Sequence, residues 1–416
     1  MTAVRHLSGR CAGPAAIRGP WLAAVALAAV AAGAGAQQPV TREQVVAAAL
    51  AHGPRVSLAA PDTAAARAAL VTAREFENPV VSASYSKDVP QYHASVDLPL
   101  DLPWLRGARI RVAAEAKSSA RLRFAFERAG ARFDAEQSYA AALAAAARAR
   151  LSRRNALDAD SLLRMAVLRR DAGDASELDV QLSTVNAGQL ANQAAGDSAD
   201  AVTALLAVQR VMGLPAERPS IALADTLALP AADTAAPTPG PTLQVAAAEA
   251  SARSADAGLS LARRSVFASP SLTLGFDSHD PTGAETGVLP TFGLALTLPL
   301  LNFSGGAIAA AAAQRDLARA ELEVARRESD AAVAQARRDL AVATAKAARD
   351  RSLVAGAGRV AAMSLRAYAE GAVALPSVLE AERQAREALG HLIDDLAAAN
   401  AAASAVRLFS ATEATP

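Results

Sequence analysis

The sequence predicts a mainly α protein with a small β part, and three features carry the prediction. Alanine supplies most of an apolar content of 52%, while aromatic residues contribute only 4%, so long helices that approach closely are expected in place of an aromatic core. Two very long stretches, Ala108 to Arg170 and Ala307 to Glu370, contain no proline. Each follows two short segments in which apolar and polar residues alternate, and the whole arrangement occurs twice. A duplicated order of elements constrains an architecture more than any one pattern does.

The chain opens with Arg5, Arg10 and Arg18, an apolar run from Trp21 to Ala32, and Ala34-Gly35-Ala36 before Gln37. That is the layout of a secretory signal peptide over 1–36. The only cysteine, Cys11, falls inside it, so the mature chain is expected to hold no disulfide and no thiolate metal site. Removing the leader removes three arginines and leaves two more acidic than basic side chains, a balance that offers nucleic acid nothing to bind. Past the leader no apolar stretch reaches the roughly 18 to 20 residues of a spanning helix. A membrane crossing by the mature chain therefore has to be a closed barrel.

The first structural repeat, 37–212, is expected to contain a helix, a strand pair and long helices. Phe76-Glu77-Asn78-Pro79 leads into strands over Val80 to Ser86 and Tyr92 to Leu100. In the second repeat, 242–410, Phe267-Ala268-Ser269-Pro270 leads into Ser271 to Ser278 and Thr291 to Leu300. Both pairs end in Leu-Pro-Leu, at Leu98-Pro99-Leu100 and Leu298-Pro299-Leu300, and both run on through Gly-Ala, at Gly107-Ala108 and Gly306-Ala307. Tyr92, Ala94, Val96 and Leu98 share a face opposite His93, Ser95 and Asp97; Leu272, Leu274 and Phe276 oppose Thr273, Gly275 and Asp277. This period of two suits a barrel wall with one lipid face and one lumen face. Tyr85, Tyr92, Phe276 and Phe292 flank the hairpin loops at Lys87 to Gln91 and His279 to Pro290, where an aromatic girdle at a membrane interface is expected. For a single hairpin of this kind, packing on a soluble core is the preferred reading. Two matching copies behind a signal peptide favour the barrel.

Each long stretch would extend roughly 90 Å as a helix at ~1.5 Å per residue, which rules out a compact ball and calls for coiled coils. Gly130 interrupts the first stretch, Gly356 and Gly358 the second. The final helices carry matching seams at spacings of three and four. One runs from Val180 through Ala187, Ala194, Ala201 and Val208 to Met212, the other from Val378 through Ala385, Leu392, Ala399 and Val406. Between long and final helices, Gly173 and Gly371 stand where a chain reversing between antiparallel helices needs positive φ. The proline-rich text of 213–241 reads as an inter-repeat linker and 411–416 as a disordered tail.

On these residues the chain resembles the TolC-type outer-membrane efflux protein family. The likeness covers the amphipathic start Thr41-Arg42-Glu43-Gln44-Val45-Val46, the duplicated halves, and the turns Arg170-Asp171-Ala172-Gly173 and Tyr368-Ala369-Glu370-Gly371. The second turn, followed by Ser377-Val378-Leu379-Glu380-Ala381-Glu382-Arg383, is similar to the family's Tyr-x-x-Gly signature running into a Val-Leu-x-Ala helix. The resemblance implies a homotrimer in the outer membrane, with a long coiled-coil helical barrel in the periplasm. Each subunit would give four strands to a trimeric twelve-stranded transmembrane β-barrel. It further implies that Gly173 and Gly371 mark the tips where a periplasmic adaptor (membrane fusion) protein docks and links the channel to an inner-membrane efflux pump. By position it carries a periplasmic gate onto Asp179, Tyr368 and Glu380, with Val373 and Ser377 departing from the arginine and aspartate of a relative. Solvated helix charges at Asp179 and Glu380, with an exposed Glu380–Arg383 pair, are the competing reading, and Tyr368 also fits the end of an apolar seam.

No catalytic, cofactor or metal constellation is legible. His52, His93, His279 and His391 are scattered without partners at ligand spacing, and no phosphate loop or nucleophile elbow occurs. A non-enzymatic channel subunit is the expected function. A periplasmic adaptor and a secreted coiled-coil scaffold are the alternatives, separable from it by membrane fractionation.

Overall fold

The computed structural model describes residues 38–231, 240–266, 270–279, 287–296, 299 and 302–413. The leader, most of the second hairpin loop, Phe267 to Ser269, and Leu298 and Leu300 of the second Leu-Pro-Leu lie outside the described residues. In chain order the elements are β1 (Gln38–Val40), α1 (Arg42–His52), α2 (Pro54–Arg74), β2 (Val80–Tyr85), β3 (Tyr92–Pro99), α3 (Pro103–Asp171) and α4 (Glu177–Val211). There follow β4 (Ile221–Leu223), α5 (Leu243–Arg264), β5 (Ser271–Ser278), β6 (Val288–Ala295), α6 (Gly305–Ala369) and α7 (Leu375–Phe409). The duplication is realised in the hairpins and the helices around them: α2 and α5 precede the hairpins, α3 and α6 follow them, and α4 and α7 return.

The long helices contain 69 and 65 residues, about 100 Å each at ~1.5 Å per residue. Their returns contain 35 residues each. Alanine makes this length tolerable because it has the highest helix propensity and leaves room for a neighbour. Ala135, Ala142, Ala149, Ala159 and Ala166 are buried along α3, and Ala318, Ala325, Ala336, Ala343 and Ala347 along α6. Helix α6 runs through Gly356 and Gly358 without a break. Among the described residues, no helix is long and apolar enough to cross a membrane.

Gly130, the one glycine deep in α3, has a packing reason. A Cβ there would stand 2.3 Å from Cζ of Arg55. The Arg55 side chain crosses from α2 over this bare position and donates to Glu127 Oε2 at 2.6 Å and Asp134 Oδ2 at 3.0 Å.

A second anchor ties the two chain ends to the middle of α3. Tyr139 is 1% exposed; its hydroxyl lies 2.9 Å from the Val40 carbonyl and 2.8 Å from Asp225 Oδ2. Burial, reinforced by Asp225, pushes the Tyr139 pKa up to about 12. One turn away Glu136 is 5% exposed and meets Arg407 of α7 at 2.5 Å, Arg42 of α1 at 3.3 Å and Arg132 at 3.3 Å. Burial alone would raise the Glu136 pKa, but the hydrogen bonds and charge of Arg407, with Arg42, outweigh it and hold the carboxyl below the usual range.

Two boundaries expected from composition are corrected here. The opening part of 213–241 is not a free linker: β4 pairs in parallel with β1, Ile221 is 4% exposed, and Gln209, fully buried, donates to the Pro215 and Arg218 carbonyls and accepts from the Ser220 amide. Prolines mark where helix stops, and they do not prevent the segment from packing. Likewise 411–413 is not a disordered tail. Ala411 and Thr412 are buried, the Ala411 carbonyl accepts from the Leu243 amide at 2.8 Å, and Thr412 bridges Thr242.

The four longer strands form one antiparallel sheet in the order β2-β3-β5-β6, so the two hairpins join through β3 and β5. Val81, Val96, Leu274 and Phe292 align across it, as do Ala94, Phe276 and Pro290. The opposite face is polar and internally bonded. Ser82 meets Ser95 at 2.8 Å, His93 meets Asp277 at 2.8 Å, and Thr273 donates to Asp97. Outer strands β2 and β6 each pair on one side only among the described residues.

Because the Glu136 pKa is lowered on folding, its contribution is fully present above the unfolded value of about 4.5 and is lost as pH falls through the folded value. Glu136→Gln is expected to destabilise the chain by about 2 kcal/mol near neutral pH, the scale of charged hydrogen bonds to half-exposed arginines. The mutant's penalty should vanish on acidification. Thermal unfolding of both proteins between about pH 7 and about pH 3 checks this.

Candidate functional site

The far ends of the rods hold the two turn glycines and Tyr368, with Asp179 at the following helix cap. Both long helices close with the same capping motif. Gly173 has φ +87° and its amide bonds the Arg170 carbonyl at 2.9 Å; Gly371 has φ +77° and bonds the Tyr368 carbonyl at 3.0 Å. The next amides reach one residue further back, Asp174 to Arg169 at 2.8 Å and Ala372 to Ala367 at 2.7 Å. Positive φ at these two positions disfavours any side chain.

Tyr368 is 3% exposed and packs with Leu162, Leu375 and Val378, with Val373 and Leu379 closing over them. Val373, at the position where the resemblance has an arginine, therefore completes an apolar cluster. The Tyr368 hydroxyl is buried and meets no hydrogen-bond partner among the described residues. Burial pushes its pKa up; the nearby Arg169 opposes that shift and Asp179 adds to it.

The residue that joins the two tips is Arg169. Its guanidinium lies over the Tyr368 ring at 4.6 Å, donates to the Tyr368 carbonyl, and donates to the Asp174 carbonyl at 3.3 Å. One cation from α3 thus holds the α6 terminus by its ring and backbone, and its own turn by a carbonyl. Sequence reasoning stopped at Arg170 in the turn motif. A signal was present, since Leu162, Met165 and Arg169 follow the seam spacing and the first two face the Tyr368 cluster.

Asp179 lies within electrostatic reach of Tyr368 and is occupied locally. Its Oδ2 accepts from the Ser176 amide at 3.1 Å and hydroxyl at 3.0 Å, and its amide donates back to Ser176 Oγ at 3.2 Å, a reciprocal cap for α4. Glu380 stands apart on the exposed side of α7. It accepts from Arg383 at 2.7 and 3.0 Å and from Gln384 at 2.8 Å. The Arg383 hydrogen bond, then that of Gln384, hold its pKa below the usual range. Asp179 caps α4 and acts on Tyr368 through its charge alone, and Glu380 keeps to its own helix neighbours.

At the other end the four expected girdle aromatics share the apolar face. Tyr85 and Tyr92 are cross-strand neighbours with ring centroids 5.4 Å apart. Phe276 sits one same-face step further from the loops and Phe292 two, so at ~3.3 Å per residue the four span three levels over about 13 Å rather than one ring. Among the described residues, no three His, Cys, Asp or Glu side chains gather to hold a metal ion.

No protein-family model and no curated protein sequence matches the chain. Solved structures do match, along nearly its whole length. A membrane protein from Pseudomonas aeruginosa superposes with a TM-score of 0.76 at 18% identity, covering 89% of this chain and 93% of that one. The CmeC outer membrane channel of Campylobacter jejuni gives 0.74 at 14%, covering 89% and 85%. The outer membrane protein VceC of Vibrio cholerae gives 0.72 at 16%, covering 89% and 97%. Identity this low carries the architecture and not the individual residues, and the architecture of this chain is that of the outer-membrane channel proteins.

Proposed function

We propose that the chain is one subunit of a homotrimeric outer-membrane channel of a tripartite efflux system. It lets small solutes or ions pass from periplasm to exterior, and its rods form the large periplasmic part. Its role is passage, with no covalent chemistry. One observation carries the reading: a four-stranded sheet with an apolar outer face, a hydrogen-bonded polar inner face and two edges unpaired among the described residues stands at the end of rods about 100 Å long. Val81, Tyr85, Phe292 and Leu294 on its apolar face are 74%, 61%, 79% and 69% exposed, which suits lipid. Unpaired strand edges are costly in lipid, and three copies pairing β6 to β2 would remove them all. A periplasmic adaptor or a water-soluble scaffold would have to bury that face within its own chain.

The tips are the entrance. The Arg169 clamp on Tyr368 holds the two hairpins of one subunit together; Asp179 adds a carboxylate at the α4 cap, and Glu380 adds one on the exposed side of α7. A periplasmic adaptor docking around Gly173 and Gly371, coupled to an inner-membrane pump, would pull the hairpins apart against this clamp.

Membrane fractionation tests the assignment: extraction only with detergent, as a trimer, is expected, and a monomer soluble in aqueous buffer would overturn it. Arg169→Ala removes contacts together worth about 1 to 2 kcal/mol, so the open population in planar bilayers should rise roughly tenfold. Tyr368→Phe should leave resting conductance nearly unchanged, because the ring and backbone carbonyl that Arg169 holds are kept. In the same recordings, an unchanged cation preference in Glu380→Gln would remove Glu380 from the entrance.

A further inference from the structure

Roughly 30 Å from the Gly371 turn, at ~1.5 Å per residue, Asp350 of α6 and Asp395 of α7 stand at matching distances from the helix ends that flank the turn, so the antiparallel hairpin sets them side by side. Oδ2 of Asp350 is shut off from solvent and has no hydrogen-bond partner. An ionised carboxylate only accepts hydrogen bonds, so two ionised aspartates facing each other repel, whereas one proton makes them donor and acceptor.

The internal repeat supplies a comparison. Counted from the two tip glycines, Asp350 and Asp395 correspond to Ser152 and Asp197 in the first half. Ser152 is 4% exposed and its hydroxyl donates to the Arg148 carbonyl at 3.0 Å, so that seam is satisfied whatever the pH. Only the second hairpin places two carboxyls together.

The charged groups facing the pair come from all three packed helices. Lys346 stands one turn before Asp350 on α6 and His391 one turn before Asp395 on α7, and both act on Asp395. From α3, Arg148 reaches α7 but is engaged by Asp394. Burial first, and then Asp350, push the Asp395 pKa up against the pull of Lys346 and His391.

We propose that Asp350 and Asp395 share one proton and form a proton-dependent clasp, tightening the α6/α7 hairpin when the pair is singly protonated and loosening it when both carboxyls ionise. A group whose pKa rises on folding contributes fully below its unfolded value, near 3.9 for aspartate, and its contribution is lost as pH rises through the folded value. Resting on the channel reading above, the loosened hairpin is the one that carries Tyr368 and Glu380, so higher pH favours opening.

Hydrogen exchange on the full chain in detergent, corrected for intrinsic rates, tests the clasp. Asparagine keeps the aspartate shape and supplies a permanent donor. Asp395→Asn is therefore expected to raise amide protection around 346–354 and 388–398 by roughly tenfold over the unmutated chain near pH 8. The difference should close near pH 4. The infrared band of a protonated carboxyl should disappear in the same variant, and His391→Gln should keep the unmutated pH dependence. Equal protection at both pH values, or a pH dependence abolished by His391→Gln, would overturn the clasp. If the exchange result holds while bilayer recordings show no channel, the channel reading fails and the clasp stands.

Discussion

Two helices of about 100 Å cannot share a globular core, and this constraint governs the rest of the molecule. Cohesion has to be distributed along seams, and alanine, which lets backbones approach, supplies them. A seam of small side chains carries little information about register, because one alanine fits the place of another. Register is set where polar groups demand particular partners. Examples are the Glu136 and Tyr139 anchor near the chain ends, Arg55 across Gly130, and Arg169 at the tips. Each charge used in these anchors is partly or wholly removed from water and has a named partner, which is why each specifies one alignment.

The duplication supplies two equivalent hairpins, and they differ in the polar contacts they make. Both tips turn on a glycine with positive φ. Only the second carries a buried tyrosine, and only the first an arginine that clamps it. The apolar Val373 fills space in that cluster, so the cation holding the second turn comes from α3. Ser152 and Asp350 repeat the pattern further up the rods, one neutral and satisfied, the other a carboxyl facing a second carboxyl.

The sheet follows the same logic at the opposite end. Alternation sends apolar side chains to one face and Ser, Thr, His and Asp to the other, and the polar side chains bond across strands, so that face has its own order before any partner arrives. Its edges are the unsatisfied part. Among the described residues β2 and β6 each pair on one side only, and in the proposed trimer the free sides would meet strands of other copies.

The sequence by itself determined the order of elements, their doubling, the alternation of the strands and the two glycine turns. These depend on neighbours a few residues apart: a period of two or about three and a half, a proline-free run, a residue able to take positive φ. Tyr368, Asp179 and Glu380 were legible as polar marks beside a turn, though not in what they touch. Only the tertiary structure decided that Arg169 meets Tyr368 across 199 positions and Arg407 meets Glu136 across 271, that β3 joins β5, and that proline-rich 213–231 and the last residues pack in place of trailing free. Such contacts depend on the rotation and axial offset of one helix against another, and a seam of interchangeable alanines leaves both unstated in the sequence.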